Sequence, residues 1–172
     1  MKTEYLLQEQ VDLVLAALTP VNRLVLRVML HTGLRVGDVL SLKTEQVKPR
    51  FWLTEEKTGK RRFVGLPDEL RRDLLAQAGK VWVFEHRTDP AKHRCRQAVW
   101  KDLKRAAKAF RLRQNVGTHS ARKVFAVDLL KKYGDIEKVR RALNHSRLEV
   151  TLIYALADAQ LTAKNKKPRR GY

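Results

Sequence analysis

Cysteine is nearly absent from this sequence. Cys95 is the single cysteine in 172 residues, which excludes a disulfide within the chain. It also lacks the accompanying Cys and His spacing of a zinc site. We therefore expect a free thiol and no metal site at this position.

Long apolar runs are also missing. No stretch of about 18 or more apolar residues is available to span a bilayer, and the first ten residues, MKTEYLLQEQ, lack the apolar core of a signal peptide. A length of 172 residues, 44% of them hydrophobic, is enough for one domain with its own core. The expectation is a soluble, cytoplasmic protein with no membrane partner.

Acidic residues are too few to balance the basic ones. The chain holds 37 Lys and Arg against 18 Asp and Glu, a formal net charge of +19. Residues 86–113 alone contain ten Lys or Arg and only two acids, Asp89 and Asp102. Such a surface favours a polyanionic partner, with nucleic acid as the obvious candidate. A basic membrane-surface or ribosome-associated protein would share this balance, so charge alone leaves the partner open.

The apolar pattern is mainly helical. Apolar residues recur at helical spacing, with breaks at Gly, Pro or Asn144, in segments 11–18, 24–29, 36–42, 67–78, 97–110, 119–132, 135–143 and 147–156. Two short runs, FWLTEE and RRFVGLP, flank a Lys-Thr-Gly-Lys turn and predict a β-hairpin, and VWVF at 81–84 predicts a buried third strand. The predicted fold class is α+β, mostly α-helical, with a small antiparallel three-stranded sheet or β-hairpin on one edge.

Chemistry-bearing residues occur in four separated motifs: HTGLRVGDVLSL, EEKTGKRR, HSAR and LNHSRLEVTLIY. Read in order, they supply Arg35, Lys57, His119, Arg122, His145 and Tyr154. Each motif alone is common, but this order in these contexts resembles the catalytic domain of the tyrosine recombinases, the phage integrase family, from roughly residue 5 to residue 158. LNH stands where LGH is more frequent in that family.

The resemblance implies a role for each of the six residues. Arg35 and Arg122 would stabilise negative charge on the scissile phosphate, which suits guanidinium groups because they stay charged and present planar donors. Tyr154 would be the nucleophile that forms a 3′-phosphotyrosyl bond, so that rejoining needs neither ATP nor a cofactor. His145 would hydrogen-bond a phosphate oxygen.

Two further groups must move protons. His119 would act as the acid–base partner of the phenol, and Lys57 would protonate the departing 5′ oxygen. Lys60, three residues later in the same turn, is the rival for that role and stays open. Asp38 matches an acidic position of the family and is expected to buttress Arg35 or its loop, whereas His31, His86 and His93 are interpreted as structural.

Analogy with the DNA-facing loops and helix of the family adds four candidate backbone contacts: Lys43, Arg94, Arg96 and Lys101. The implied partners are double-stranded DNA, a homotetramer on paired DNA sites with monomers in free solution, and accessory directionality proteins. Residues 1–158 would form the catalytic domain. The basic tail, 159–172, would either dock on a neighbouring protomer or be disordered.

The implied function is site-specific recombination or integration without metal or ATP, at the nucleoid. Type IB topoisomerase-like DNA relaxation and a non-catalytic basic DNA-binding module are the alternatives. Few residues precede the catalytic motifs, whereas family members carry an amino-terminal helical domain that closes around DNA. The sequence is therefore expected to be either an excised fragment or a single-domain recombinase.

Overall fold

The computed structural model describes residues 3–144. The chain divides into two compact units, the first ending at Phe125 and the second beginning at Ala126. In the described part, the helices are α1 (Gln8–Ala17), α2 (Pro20–Thr32), α3 (Val36–Leu40), α4 (Asp68–Gln77), α5 (Arg96–Ala109), α6 (Thr118–Tyr133) and α7 (Ile136–Ala142). The strands are β1 (Arg50–Thr54) and β2 (Arg61–Gly65). The mostly helical prediction is confirmed.

Helix α2 is the centre of the first unit, because α1, α3, α4 and α5 all pack against it. Its side chains Val25, Val28 and Met29 have no solvent exposure. Pro20 starts the helix, where its fixed φ is favourable and its missing N–H costs nothing. Gly33 ends it in the left-handed conformation with φ of 65°, and its N–H donates to the carbonyl of Met29. This turn places the chain for α3.

A buried polar network joins the start of α2 to α5. The carboxylate of Asp102 accepts hydrogen bonds at 2.6–3.0 Å. The donors are the main-chain N–H and the hydroxyl of Thr19, the Asn22 amide and the Arg105 guanidinium. Burial opposes ionisation of Asp102, but these hydrogen bonds outweigh it and hold its pKa at about 2. The network therefore fixes the α1–α2 junction against α5.

Strands β1 and β2 form an antiparallel hairpin in which Trp52 pairs with Phe63 and Leu53 pairs with Arg62. Alternation places Phe51, Leu53 and Val64 in the core, while Trp52 and Phe63 remain exposed with ring centroids 5.1 Å apart. The Glu55 N–H donates to the Lys60 carbonyl at 3.0 Å and closes the turn. The hairpin was predicted at this position.

The predicted third strand at 81–84 is wrong. Within residues 3–144 the sheet has two strands, and Trp82 makes only an isolated antiparallel bridge to Lys43. Val83 and Phe84 are fully buried, as the apolar run indicated. A short apolar run reports burial, however, and does not by itself specify a ladder of strand hydrogen bonds.

The described part of the second unit contains α7 after a turn at Gly134, which has φ of 64°. Asp135 caps α7, since its carboxylate accepts hydrogen bonds from the N–H groups of Glu137 and Lys138 at 2.8 and 3.1 Å. The helices predicted over 119–132 and 135–143 correspond to α6 and α7. The predicted helix over 147–156 and the tail lie outside the described residues.

Candidate active site

A cavity of about 310 Å³ in the first unit is lined by residues from four separated segments. Its polar lining includes Arg35, Lys57, His93, Arg96, His119 and Arg122. Four of the six predicted catalytic residues therefore share one cavity. The excess of cationic groups around it suits a bound phosphate.

The turn after α2 positions the first of these residues. Arg35 is the N-cap of α3 and follows Gly33 by two residues, so the left-handed turn determines where its side chain begins. Arg35 Nη1 donates to Glu55 Oε2 at 2.5 Å, and the Glu55 side chain has no solvent exposure. The guanidinium of Arg35 is thus held by a carboxylate from the end of β1.

Two other arginines bind the same turn through its carbonyl groups. Arg122, which is 5% exposed, donates to the carbonyl of Gly33. Arg62 donates to the carbonyl of Thr32 and, at 3.5 Å, to that of Gly33. Burial lowers the pKa of Arg62 to about 10, while the nearby Glu55 carboxylate acts in the opposite direction. At neutral pH this buried guanidinium remains charged.

Lys57 lies in the turn of the hairpin and is exposed at the cavity. The turn is closed by hydrogen bonds from Glu55 N to Lys60 O and from Gly59 N to Glu55 O, at 3.0 and 2.8 Å. Lys60 is exposed and falls outside the residues that line this cavity. The geometry favours Lys57 over its rival.

His119 is in the first turn of α6, on the wall of the cavity. Partial burial lowers its pKa below 6.5, and the positive charges of Arg122, Arg35 and Lys57 act in the same direction. The imidazole is therefore mainly neutral at pH 7. A neutral imidazole can accept a proton from a phenol.

Asp38 supports both the hairpin turn and the main chain at Arg35. Its Oδ1 accepts a hydrogen bond from the Glu56 N–H at 3.0 Å, and its side chain is buried. Burial raises the pKa of Asp38, an effect that this hydrogen bond offsets only in part. Asp38 also accepts a hydrogen bond from the main chain of Arg35, and the positive charge of Arg35 acts to lower the pKa of Asp38. The expected support to the Arg35 loop is therefore present, beside a second support to the hairpin turn.

His145 and Tyr154 lie outside the described residues, so their predicted roles stay predictions.

The candidate DNA contacts divide into two kinds. Lys43, Arg96 and Lys101 are exposed, and Arg96 also lines the cavity. Arg94 is half-buried, and its Nε donates to Asn22 Oδ1 at 2.9 Å.

Three residues of this site were not assigned to it from the sequence. The sequence gives only a weak indication that Glu55 belongs to the site, namely that it is an acid two residues before Lys57. The indication for Arg62 is stronger, because strand alternation puts it on the same inward face as Val64. His93 lines the cavity, although its Nδ1 is 2.9 Å from the Arg94 carbonyl, a contact typical of a structural histidine.

Residues 3–144 contain neither a metal-binding cluster nor a membrane-spanning helix. No group of three or more His, Cys, Asp or Glu side chains is placed to hold a metal ion in this part. Over the same residues, no helix is long and apolar enough to cross a membrane.

The chain is similar in sequence to known integrases and recombinases. The model of the phage integrase family matches residues 4–160. The integrase of Escherichia phage P2 is 30% identical over 155 residues, covering 90% of this chain and 43% of that protein. A probable integrase/recombinase of Bacillus subtilis, YoeC, is 29% identical over 138 residues, covering 77% of this chain and 76% of that protein. The chain thus spans less than half of the phage P2 integrase.

Solved structures show the same fold. The catalytic domain of bacteriophage HP1 integrase matches with a TM-score of 0.67 at 24% identity, covering 97% of this chain and 96% of that one. XerA recombinase matches with a TM-score of 0.74 at 20% identity, covering 96% of this chain and 64% of that one. A lambda integrase tetramer bound to a Holliday junction matches with a TM-score of 0.72 at 17% identity, covering 90% of this chain and 48% of that one.

Proposed function

Because the chain belongs to the phage integrase family, we propose that it is the catalytic domain of a site-specific DNA recombinase. It cleaves and rejoins DNA strands through a 3′-phosphotyrosyl intermediate, with no metal ion or ATP. One observation carries the proposal: Arg35, Lys57 and the pair His119 and Arg122 come from three separate segments and line one cavity.

Cleavage begins when the Tyr154 hydroxyl oxygen attacks the scissile phosphorus. Negative charge builds on the non-bridging oxygens, where Arg35 and Arg122 stabilise it, and His145 donates a hydrogen bond to one of them. His119 takes the phenolic proton, which its lowered pKa allows. Lys57 gives a proton to the departing 5′ oxygen, and its place in the cavity supports it over Lys60.

Rejoining reverses these steps. A 5′-hydroxyl of the partner strand attacks the phosphotyrosyl bond, and the phenol of Tyr154 leaves. The number of phosphodiester bonds is unchanged, so the energy of the broken bond is conserved in the covalent intermediate. No external energy source is required.

Residues 1–158 form the catalytic domain in this proposal, and residues 159–172 dock on a neighbouring protomer. The protein is a monomer in free solution and a homotetramer on paired DNA sites, at the nucleoid, with accessory directionality proteins as further partners. The fold shared with a lambda integrase tetramer supports this assembly. Sedimentation that detects stable tetramers without DNA would contradict it.

DNA is held through its phosphates by Lys43, Arg94, Arg96 and Lys101. The formal charge of +19 supports this mode of binding. Such contacts orient the protein on the duplex without reading sequence. Affinity is therefore expected to fall steeply with salt.

Covalent trapping tests the proposal. The protein is incubated with EDTA and a pool of duplexes that carry a 5′-bridging phosphorothiolate, whose cleaved product cannot be religated efficiently. We expect an SDS-resistant protein–DNA adduct that Tyr154→Phe abolishes while leaving duplex binding unchanged. Tyr133→Phe is the matched control, since this exposed tyrosine lies elsewhere in the sequence and the adduct should persist.

The alternatives predict other results. A type IB topoisomerase would relax plasmids that contain no target site. A non-catalytic module would bind DNA in a salt-dependent manner and form no adduct on any duplex. An adduct retained by Tyr154→Phe would overturn the assignment of the nucleophile.

A further inference from the structure

Glu55 is a buried carboxylate at the end of β1 that touches several parts of the site. Its Oε2 accepts hydrogen bonds from Arg35 Nη1 at 2.5 Å and from the Thr58 hydroxyl at 2.8 Å. Its Oε1 lies 3.9 Å from Arg62 Nη1. A carboxylate with no solvent exposure needs positive partners, and here two arginines supply them.

Electrostatics makes Glu55 necessary for both arginines. The side chains of Arg35 and Arg62 are only 21% and 10% exposed, and the positive charge of Arg35 disfavours the charged form of Arg62. The carboxylate between them offsets this repulsion. Without it, two poorly solvated guanidiniums would face each other, and Arg35, the more exposed one, would be free to turn away.

The main chain of Glu55 links the same side chain to Lys57. Its N–H and carbonyl group close the hairpin turn through Lys60 and Gly59, at 3.0 and 2.8 Å. The Thr58 hydroxyl, which donates to the carboxylate, belongs to this turn. A single residue therefore connects the position of Lys57 to that of Arg35.

Arg62 completes the connection on the other side. It donates to the carbonyls of Thr32 and Gly33, and the Gly33 carbonyl also accepts from Arg122. Only Nη1 of Arg35 is used in these contacts among the described residues. Its other N–H groups remain for a phosphate oxygen.

We propose that Glu55, together with Arg62, is a positioning residue that holds the Arg35 guanidinium and the Lys57 turn in register for attack on the phosphate. Glu55 acts through Arg35 and does not touch the substrate. This inference rests on the proposed function, because it assumes that Arg35 binds the scissile phosphate.

The test measures single-turnover adduct formation by the full chain, on the duplex that gives the strongest adduct. Glu55→Gln keeps the size and an acceptor oxygen but removes the charge, and we expect adduct formation to slow by about 10²-fold or more, on the scale of losing one charge-stabilising donor. Glu55→Asp keeps the charge and should recover part of the rate. Glu69→Gln is the matched control, since it removes a carboxylate from an exposed ion pair with Arg27 at 3.0 Å, and its rate should be unchanged.

A second substrate separates positioning from a general structural role. It carries a methylphosphonate at the scissile position, in which a methyl group replaces one non-bridging oxygen and removes the negative charge. Arg35 then has less charge to stabilise, so the defects of Arg35→Ala and Glu55→Gln should both shrink by at least about tenfold relative to the phosphate substrate. A defect of Glu55→Gln that is equal on both substrates would overturn the proposal.

Glu55→Gln leaves two buried guanidiniums without their carboxylate and could unfold. The double variant Glu55→Gln/Arg62→Met removes that repulsion and is expected to melt near the parent chain. The proposal expects its adduct rate to stay low on phosphate DNA, since Arg35 still lacks its charged partner. Recovery of the rate together with stability would overturn it.

Adduct formation by the parent chain separates a failure of the proposed function from a failure of the positioning role of Glu55. If it forms no adduct on any duplex, the proposed function fails and this inference fails with it. If it forms an adduct and Glu55→Gln forms the adduct at the same rate, only the positioning role is overturned.

Discussion

Arg122 donates a hydrogen bond to the main-chain carbonyl of Gly33, although 89 residues of sequence separate them. Gly33 has φ of 65°, a conformation that glycine adopts without strain, and it lies two residues before Arg35. The two arginines expected to bind phosphate are thus related through one glycine turn. The geometry of the site depends on the backbone at this point.

Gly33→Ala is expected to destabilise the fold by about 2 to 5 kcal/mol, the sum of the left-handed strain and the overpacking of a core contact. A Cβ at Gly33 would overlap the ring of Phe125. Gly134→Ala is the matched control, because Gly134 also follows a helix with φ of 64° but has nothing within 4 Å of its Cβ position. It should lose only about 1 to 2 kcal/mol. Urea unfolding measures the loss in free energy of unfolding for both variants. Equal losses would exclude a role for Phe125.

The pKa of His119 is expected below 6.5 in the free protein, because partial burial and then Arg122, Arg35 and Lys57 disfavour its protonated form. An NMR titration of the imidazole measures this directly. Sulfate or duplex DNA should raise the pKa, since either brings negative charge to the cavity. The unfolded chain binds this proton more readily, so the contribution of His119 to stability is fully present above pH 6.5 and is lost as the pH falls through the folded pKa. A pKa at or above 6.5 without anions would contradict the cavity electrostatics.

Much of this site follows from local sequence signals. Two short runs of apolar and aromatic residues around Lys-Thr-Gly-Lys predicted the hairpin and put Lys57 in its turn, and helical spacing predicted the helix that carries His119 and Arg122. These signals are local, since each depends on residues within about one turn or one strand pair. The sequence resemblance, and not periodicity, related the separate segments to one another.

Partner choice between distant residues could not be predicted in this way. Asp38 was expected to buttress Arg35 or its loop because it matches an acidic position of the family, and it does accept a hydrogen bond from the Arg35 main chain. The carboxylate that holds the Arg35 guanidinium, however, is Glu55, 20 residues away. Arg62 was not distinguished from its basic neighbours, although only its side chain turns to the core. At 81–84 the apolar run indicated burial correctly for Val83 and Phe84 but not for Val81, which is 45% exposed. Strand pairing also requires a partner of matching length, which residues 42–44 do not provide.

Asp102→Ala is expected to lower the free energy of unfolding by about 2 to 4 kcal/mol, because it leaves the buried amide of Asn22 and the partly buried N–H and hydroxyl of Thr19 without their acceptor. The folded pKa of Asp102 is about 2, below the ordinary value of 3.8. Its contribution is therefore present above pH 3.8 and is lost as the pH falls through about 2. Urea unfolding at pH 7 measures the loss. Asp89→Ala, which removes a partly exposed carboxylate that pairs with Lys92 and accepts from the Ala91 N–H, is the control and should lose no more than about 1 kcal/mol.

Arg94 and Arg96 are both proposed DNA contacts, but substitution should affect them differently. Arg96 is exposed and lines the cavity, so Arg96→Ala should weaken DNA binding and reduce the slope of log K against log salt by about 0.9, the value for one phosphate contact. The folding stability of the Arg96→Ala variant should change little. Arg94→Ala removes the donor to the buried Asn22 amide oxygen and should cost about 1 to 3 kcal/mol of stability, with a smaller change in slope.

Fluorescence anisotropy with a labelled duplex over a range of salt concentrations measures the slopes, and urea unfolding measures the stabilities. Arg72→Ala provides the control, since it removes one exposed arginine from α4, away from the cavity lining. The parent slope should be retained in that variant. If Arg94→Ala lowers the slope as much as Arg96→Ala and leaves stability unchanged, then Arg94 is a phosphate contact and its hydrogen bond to Asn22 breaks when DNA binds.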